Sequence, residues 1–146
     1  MYETHDKLDI ADEMLDSAIQ SLIESKHFFV ALNLACVAEE LYGQHIRLCG
    51  GQNSQSGLIQ LAEVIARADG AANTTQKELW TASVALKNSI KHLDSHEDRY
   101  IEADITKEAM SAIYLALANH QKLSRKFTLN IQRFIEFSAK PTTNCG

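Results

Sequence analysis

The stretch HFFVALNLACVAEELYGQHIRLC, residues 27–49, decides the fold. It holds no proline, and its apolar residues are not confined to one stripe. Phe28, Val30, Leu34, Val37, Leu41 and Leu48 lie on one side, while Phe29, Leu32, Cys36 and Ile46 lie on others. A helix that is apolar round most of its circumference is a central one, or one shared with a second subunit, because little of its surface suits water. Gly50-Gly51 follows and predicts the helix end, since glycine takes the left-handed conformation that satisfies the last carbonyls.

Working outward, the same periodicity predicts further helices on both sides. Toward the N-terminus, Leu8, Ala11, Leu15, Ala18, Ile19 and Leu22 form one stripe over Asp6 to Ser25. Toward the C-terminus, the polar run Gln52 to Gly57 reads as a loop, and Leu58, Leu61, Ala62 and Ile65 outline a short third helix stopping at Asp69-Gly70. After the linker Ala71 to Thr74, the pair Thr75 and Glu78 spells a capping box. Leu79, Ala82, Leu86, Ile90 and Leu93 then carry a fourth helix that ends near Leu93, and residues 94–103 form a connection. Asp104 or Thr106 caps a fifth helix with Ala109, Ile113, Ala116, Leu117 and His120 inside. The segment 127–139, with Leu129, Ile131, Phe134, Ile135 and Phe137, reads as a short sixth helix terminated by Pro141. The expectation is an all-α, up-and-down bundle of about five helices with a short C-terminal helix, a single domain over residues 1–146 with its core in about 6–123.

Composition narrows the chemistry. With 45% hydrophobic and 23% charged residues the chain is neither a disordered segment nor a membrane span. A net charge of −5 counts against sequence-independent binding of DNA or RNA over a broad face, which needs clustered cations to displace counterions. Lys87 and Lys91 form a compact basic pair, and Lys122, Arg125, Lys126 and Arg133 give the C-terminal third a basic lean that reads as a solvated face. Cys36, Cys49 and Cys145 have no metal or redox spacing and predict a reducing compartment, with Cys36 as a small buried hydrophobe. The first residues lack a basic and an apolar targeting region, so the expectation is a cytoplasmic protein with no membrane partner.

Several familiar sites fail on residue count. A carboxylate-bridged metal pair needs two Glu-x-x-His motifs, and Glu24 with His27 is the single match, straddling a helix boundary. His92 and His96, followed by Glu97 and Asp98, have the spacing to hold a divalent ion only if the fourth helix continues through them. Glu39 and Glu40 lie about 100° apart on a helix, so one is expected to be buried and paired and the other exposed. No nucleophile elbow and no phosphate-cradling glycine loop occurs, and the reading calls for no metal and no cofactor.

The string Leu86-Lys87-Asn88-Ser89-Ile90-Lys91-His92 resembles the motif of the HEPN superfamily, an Arg followed four to six residues later by His, often with a polar residue after the Arg. Lys87 stands at the Arg position, Asn88 at the polar position, and His92 closes the motif. The run Ala35 to Gly43 and the opening Lys107-Glu108-Ala109 are also similar to small bacterial members, and the likeness extends over about residues 8–123. The resemblance implies a homodimer whose motif helices meet, with a metal-independent ribonuclease site at the junction in catalytic members. It implies His92 as general acid/base, Lys87 as the cation that stabilises charge on the phosphorane, and Asn88 as a positioning group. Because a lysine is a point charge without arginine's planar fork, the leading expectation is a degenerate, non-catalytic binding or interaction protein. Its partners would be a second copy, RNA or a nucleotide, and a cognate antitoxin protein, in a toxin–antitoxin or phage-defence setting. The alternatives are an active ribonuclease using His92 and Lys87, and a structural bundle subunit with no ligand site. On a continuous helix Lys87 and His92 diverge by about 140°, so they converge only if the helix frays or a partner supplies one of them.

Overall fold

The computed structural model describes residues 1–68, 70 and 75–140. Among these are six α-helices and no strand: α1 Lys7–Gln20, α2 Phe28–Leu48, α3 Ser54–Ala68, α4 Gln76–Ser89, α5 Ile105–Lys122 and α6 Leu129–Ala139. The expected linker at Ala71 to Thr74, Asp69, Pro141 and Cys145, and the side chains of Leu79 and Ala82, lie outside the described residues. No helix is long and apolar enough to cross a membrane among the described residues.

Helix starts follow from local chemistry. Asp6, Thr75, Asp104 and Thr128 each accept a backbone N–H of the first turn, and at Thr75 the Glu78 carboxylate returns the bond, completing the capping box. Asp104, not Thr106, caps α5. Gly50, with φ of +82°, follows the C-cap of α2 in the conformation only glycine adopts cheaply. Between α1 and α2 the chain makes one π-helical turn, Ser21–Ser25, closed by Lys26 in the left-handed region at φ +52°.

The core sits where α2 packs against α1 and α5, with α6 laid on α1. Here the expected faces of α2 need correction. Its buried residues are Ala31, Leu32, Ala35, Cys36, Ala38, Glu39, Tyr42, Gly43 and Ile46, while Phe29, Val30 and Leu48 are exposed. Small residues hold the centre because they let α5, itself lined by Ala109, Ala112 and Ala116, approach closely; bulky residues are displaced to the margins. Gly43 marks a close approach, where an added Cβ would stand 3.2 Å from Asn53 Nδ2 and 3.4 Å from Asn119 Nδ2. Ala109, Ile113, Ala116, Leu117 and His120 are buried on α5 as the period predicts.

Two further expectations are overturned. The run 52–57 is not all loop, because α3 begins at Ser54. Asn53 accepts from Ser56 N at 2.8 Å, and the buried Asn119 amide accepts from Ser54 N at 2.8 Å while donating to the Glu39 carbonyl. A side chain 65 positions away thus satisfies a donor that would otherwise be orphaned at a helix start. Of the residues that outline α3, Leu58, Leu61 and Ile65 are exposed, as is Val64, and among its described side chains Gln55 and Ile59 are buried. α4 ends at Ser89, one turn before the expected Leu93, which is 70% exposed.

The basic lean of the C-terminal third is not simply a solvated face. Arg125 grips Asp12 through Nε and Nη2, the shortest contact 2.6 Å, and reaches Asp9 at 2.7 Å. Tyr42 donates to the same Asp12 carboxylate at 2.6 Å. Thr128 and Asn130 donate to Asp16, and Arg133 pairs with Glu24 at 2.7 Å. The acidic stripe Asp9, Asp12, Asp16 of α1 therefore receives donors from the chain that leads into α6. Burial alone would raise the Asp12 pKa, but the hydrogen bonds from Arg125 and Tyr42 and the Arg125 charge outweigh it and hold the carboxyl below the usual range.

Candidate functional site

α4 tightens in its last turn and then releases the chain. Ile90 N still bonds Leu86 O in the helical pattern, but Lys91 N turns to Asn88 O at 3.1 Å and His92 N to Ser89 O at 3.5 Å. The helix therefore frays before His92, which removes the angular conflict between positions 87 and 92. Lys87, Asn88 and His92 line one cleft of about 470 Å³ within a single chain. The facing wall is α2, which presents Glu39, Glu40, Gly43 and Arg47, and the start of α3 closes one side with Asn53 and Gln55. Lys91 completes a set of three cations with Lys87 and Arg47.

The charges in the cleft are unevenly compensated. Lys87 Nζ donates to Glu40 Oε2 at 2.9 Å; the lysine side chain is largely covered and the glutamate exposed. That hydrogen bond, and the lysine charge behind it, lowers the Glu40 pKa. Glu39, at 8% exposure, behaves oppositely: burial pushes its carboxyl above the ordinary glutamate range, with Lys87 and Arg47 opposing and Glu40 reinforcing the rise. The expectation that the buried acid would be the paired one is thus reversed, because the Lys87 stem reaches the carboxylate on the open side of α2. A buried carboxyl with a raised pKa, in a cleft beside cations and an imidazole, is the kind of group functional sites hold.

His96 stands outside this cleft, at the head of a short 3₁₀ turn Glu97–Arg99, and the Asp98 carboxylate caps the preceding backbone at Asp94 and Ser95. Glu24 pairs with Arg133 and His27 begins α2, so the two do not act together. Among the described residues no group of three His, Cys, Asp or Glu side chains is placed to hold a metal ion. Cys36 and Cys49 are free thiols; Cys36 is buried, as expected, and burial raises its pKa.

Residues that the sequence reading did not single out are Arg47, Asn53 and Gln55. Arg47 lies two helical turns beyond Glu39 and Glu40, so a helical wheel of α2 would have placed it on their side. Asn53 and Gln55 were hidden by reading 52–57 as a loop. What the arrangement can do chemically is hold a compact anion among three cations and present an imidazole and a buried carboxyl for proton exchange. No protein-family model, no curated protein and no solved structure matches this chain.

Proposed function

We propose that this chain is a HEPN-like, up-and-down helical bundle that acts as a cytoplasmic homodimer and binds the phosphate of an RNA or nucleotide in the cleft between α2 and the end of α4, without cleaving it. The observation that carries this reading is the 2.9 Å contact of Lys87 with Glu40. The cation at the motif's first position is already engaged by a carboxylate, and it lacks the bidentate fork that would grip a phosphorane. Arg47 and Lys91 on the same walls provide the remaining positive charge for an anion. Self-association is favoured by two exposed apolar groups, Phe29, Val30 and Ile101 beside Lys91, and Leu58, Leu61, Val64 and Ile65 on α3. A cognate antitoxin protein in a toxin–antitoxin or phage-defence system is the partner class that goes with the HEPN resemblance.

A second reading, a metal-independent ribonuclease, is favoured by one observation: Lys87, Asn88, His92 and buried Glu39 line the same cleft. In that chemistry a base takes the proton of a ribose 2′-hydroxyl, and the 2′-oxygen attacks the adjacent phosphorus. The 5′-oxygen leaves with a proton from the acid, giving a 2′,3′-cyclic phosphate and a free 5′-hydroxyl.

The test is incubation of purified protein with single-stranded RNA in EDTA, with filter binding in parallel and light scattering for mass. The expected result is binding without cleavage, weakened by Arg47→Ala. Cleavage that disappears in His92→Ala would establish the ribonuclease reading instead. A Lys87→Arg variant that gains cleavage would identify the site as a decayed one, and a strict monomer would remove the homodimer.

A further inference from the structure

The C-terminal end of α2 carries two donors for a soft cation, in a pairing with histidine that cysteine spacing does not disclose. His45 and Cys49 stand four residues apart on one face of the helix end, and Cys49 Sγ lies 3.7 Å from His45 Nε2. Cys49 is an exposed, free thiol, and neither side chain lines the cleft at the end of α4. We propose that this pair is half of a zinc site, completed by the same pair from a second copy of the chain to give a tetrahedral set of two imidazoles and two thiolates. The inference stands apart from the anion-binding reading.

The distance is the first reason. Zinc holds sulfur at about 2.3 Å and imidazole nitrogen at about 2.1 Å, and a tetrahedral angle between those bonds sets the two donors about 3.6 Å apart. The observed 3.7 Å is nearly that bite, so the chain closes on the ion with little rearrangement. The ring atom that meets sulfur is Nε2, and with the proton on Nδ1 it aims its lone pair at the point the thiolate also reaches. One nitrogen and one sulfur per chain suit zinc and not magnesium or calcium, which take oxygen. Donor number calls for the second copy. Among the described residues no third His, Cys, Asp or Glu joins the pair within one chain, whereas a closed zinc site takes four donors. A twofold axis beside Cys49 supplies the other two, and Leu48, which is exposed next to the thiol, gives the approaching copy an apolar surface to seat against. One Zn²⁺ displaces the proton of each thiol, leaving a neutral complex and two H⁺ in solution.

Titration of the full, reduced chain with Co²⁺ tests the proposal, because tetrahedral cobalt is coloured and a thiolate ligand adds a charge-transfer band in the near ultraviolet. The expected result is saturation at one Co²⁺ per two chains, with that band present, two protons released per ion, and full displacement by Zn²⁺. His45→Ala and Cys49→Ser should each weaken Co²⁺ binding by more than about tenfold, while Cys145→Ser should leave it as in the parent. Thermal melts in EDTA establish that the three variants fold. Saturation at one ion per chain would overturn the shared site. Binding that survives both His45→Ala and Cys49→Ser, or that is lost in Cys145→Ser, would assign the ion to other residues and overturn it too. Failure of Co²⁺ and Zn²⁺ to bind would reduce the pair to a thiol–imidazole contact. Light scattering of the EDTA-treated protein keeps the two readings distinct: a dimer that persists without metal supports the homodimer proposed above, whichever way the titration falls.

Discussion

Tyr42 and Glu39 lie three residues apart on the buried side of α2, yet the polar groups they carry meet opposite fates. Around Tyr42 every partner is supplied. Its hydroxyl donates to Asp12, Asp12 is gripped by Arg125, and the His120 ring packs edge-on against the tyrosine at 5.8 Å. Burial and the Asp12 carboxylate together push the Tyr42 pKa far above its usual value, so the hydroxyl stays a donor across the physiological range. Around Glu39 the neighbouring cation is drawn off instead by Glu40, and the carboxyl is left buried with its charge disfavoured. A satisfied polar cluster fixes how helices assemble; an under-compensated one sacrifices stability and retains reactivity for a ligand. The end of the molecule at α1 and α6 is a latch, and the end at α4 carries the candidate site.

Substitutions can break that contrast. The largest effect is expected at the latch: Arg125→Ala should destabilise the fold by about 2 kcal/mol in urea denaturation, because it strips Asp12 of its cation and releases the approach to α6. Its pH dependence has a definite sign. The Asp12 pKa is lower folded than unfolded, so its stabilisation is present above the ordinary aspartate value of about 3.9 and is lost as pH falls through the folded value. Arg125→Ala should therefore flatten the acid limb of the stability profile. An unchanged limb would mean that Asp12 is held by something else.

Glu39→Gln should have a smaller effect in the opposite direction, raising stability by about 1 kcal/mol at pH 7. Its folded pKa is raised, so the wild type is at its best below the unfolded glutamate value of about 4.3 and loses stability as pH rises through the folded one. Melting temperatures of the two proteins should converge in acid and separate at neutral pH. A destabilised Glu39→Gln at pH 7 would show that the carboxylate is well compensated, and the contrast between the two regions would dissolve. The smallest effect belongs to Glu40→Gln. An exposed ion pair contributes at most about 1 kcal/mol, so stability should hardly move, while Lys87 is released and ribose 5-phosphate affinity rises about threefold. Weaker binding in that variant would make Glu40 a contributor to the site and not a competitor for it.

How far the chain could be read before folding depended on where each signal resided. Local signals succeeded: the Thr75–Glu78 capping box, the Gly50 terminator and the buried period of α5 are all set within a turn or two of sequence. α3 was misread because Ser54 and Gln55 look like loop residues until Asn119 arrives from α5 to satisfy the first N–H. Its apolar residues Leu58, Leu61 and Ile65 face outward, an outcome that periodicity cannot give, because it states which residues share a face and nothing about what that face meets. At the candidate site only the resemblance pointed to Lys87, Asn88 and His92, and their convergence on one cleft required α4 to end at Ser89. The Lys87–Glu40 pair spans 47 positions and has no local signature at all.

By itself the sequence determined that the chain is helical and where most of its helices start and stop, because capping, propensity and amphipathic period act over a few residues. Only the tertiary structure decided which faces are buried, which acid is paired, and that Lys87, Asn88 and His92 share one cleft with Arg47 and Lys91. Those outcomes depend on burial and on charge separations of a few ångströms between segments far apart in the chain, and neither quantity exists until the helices have packed.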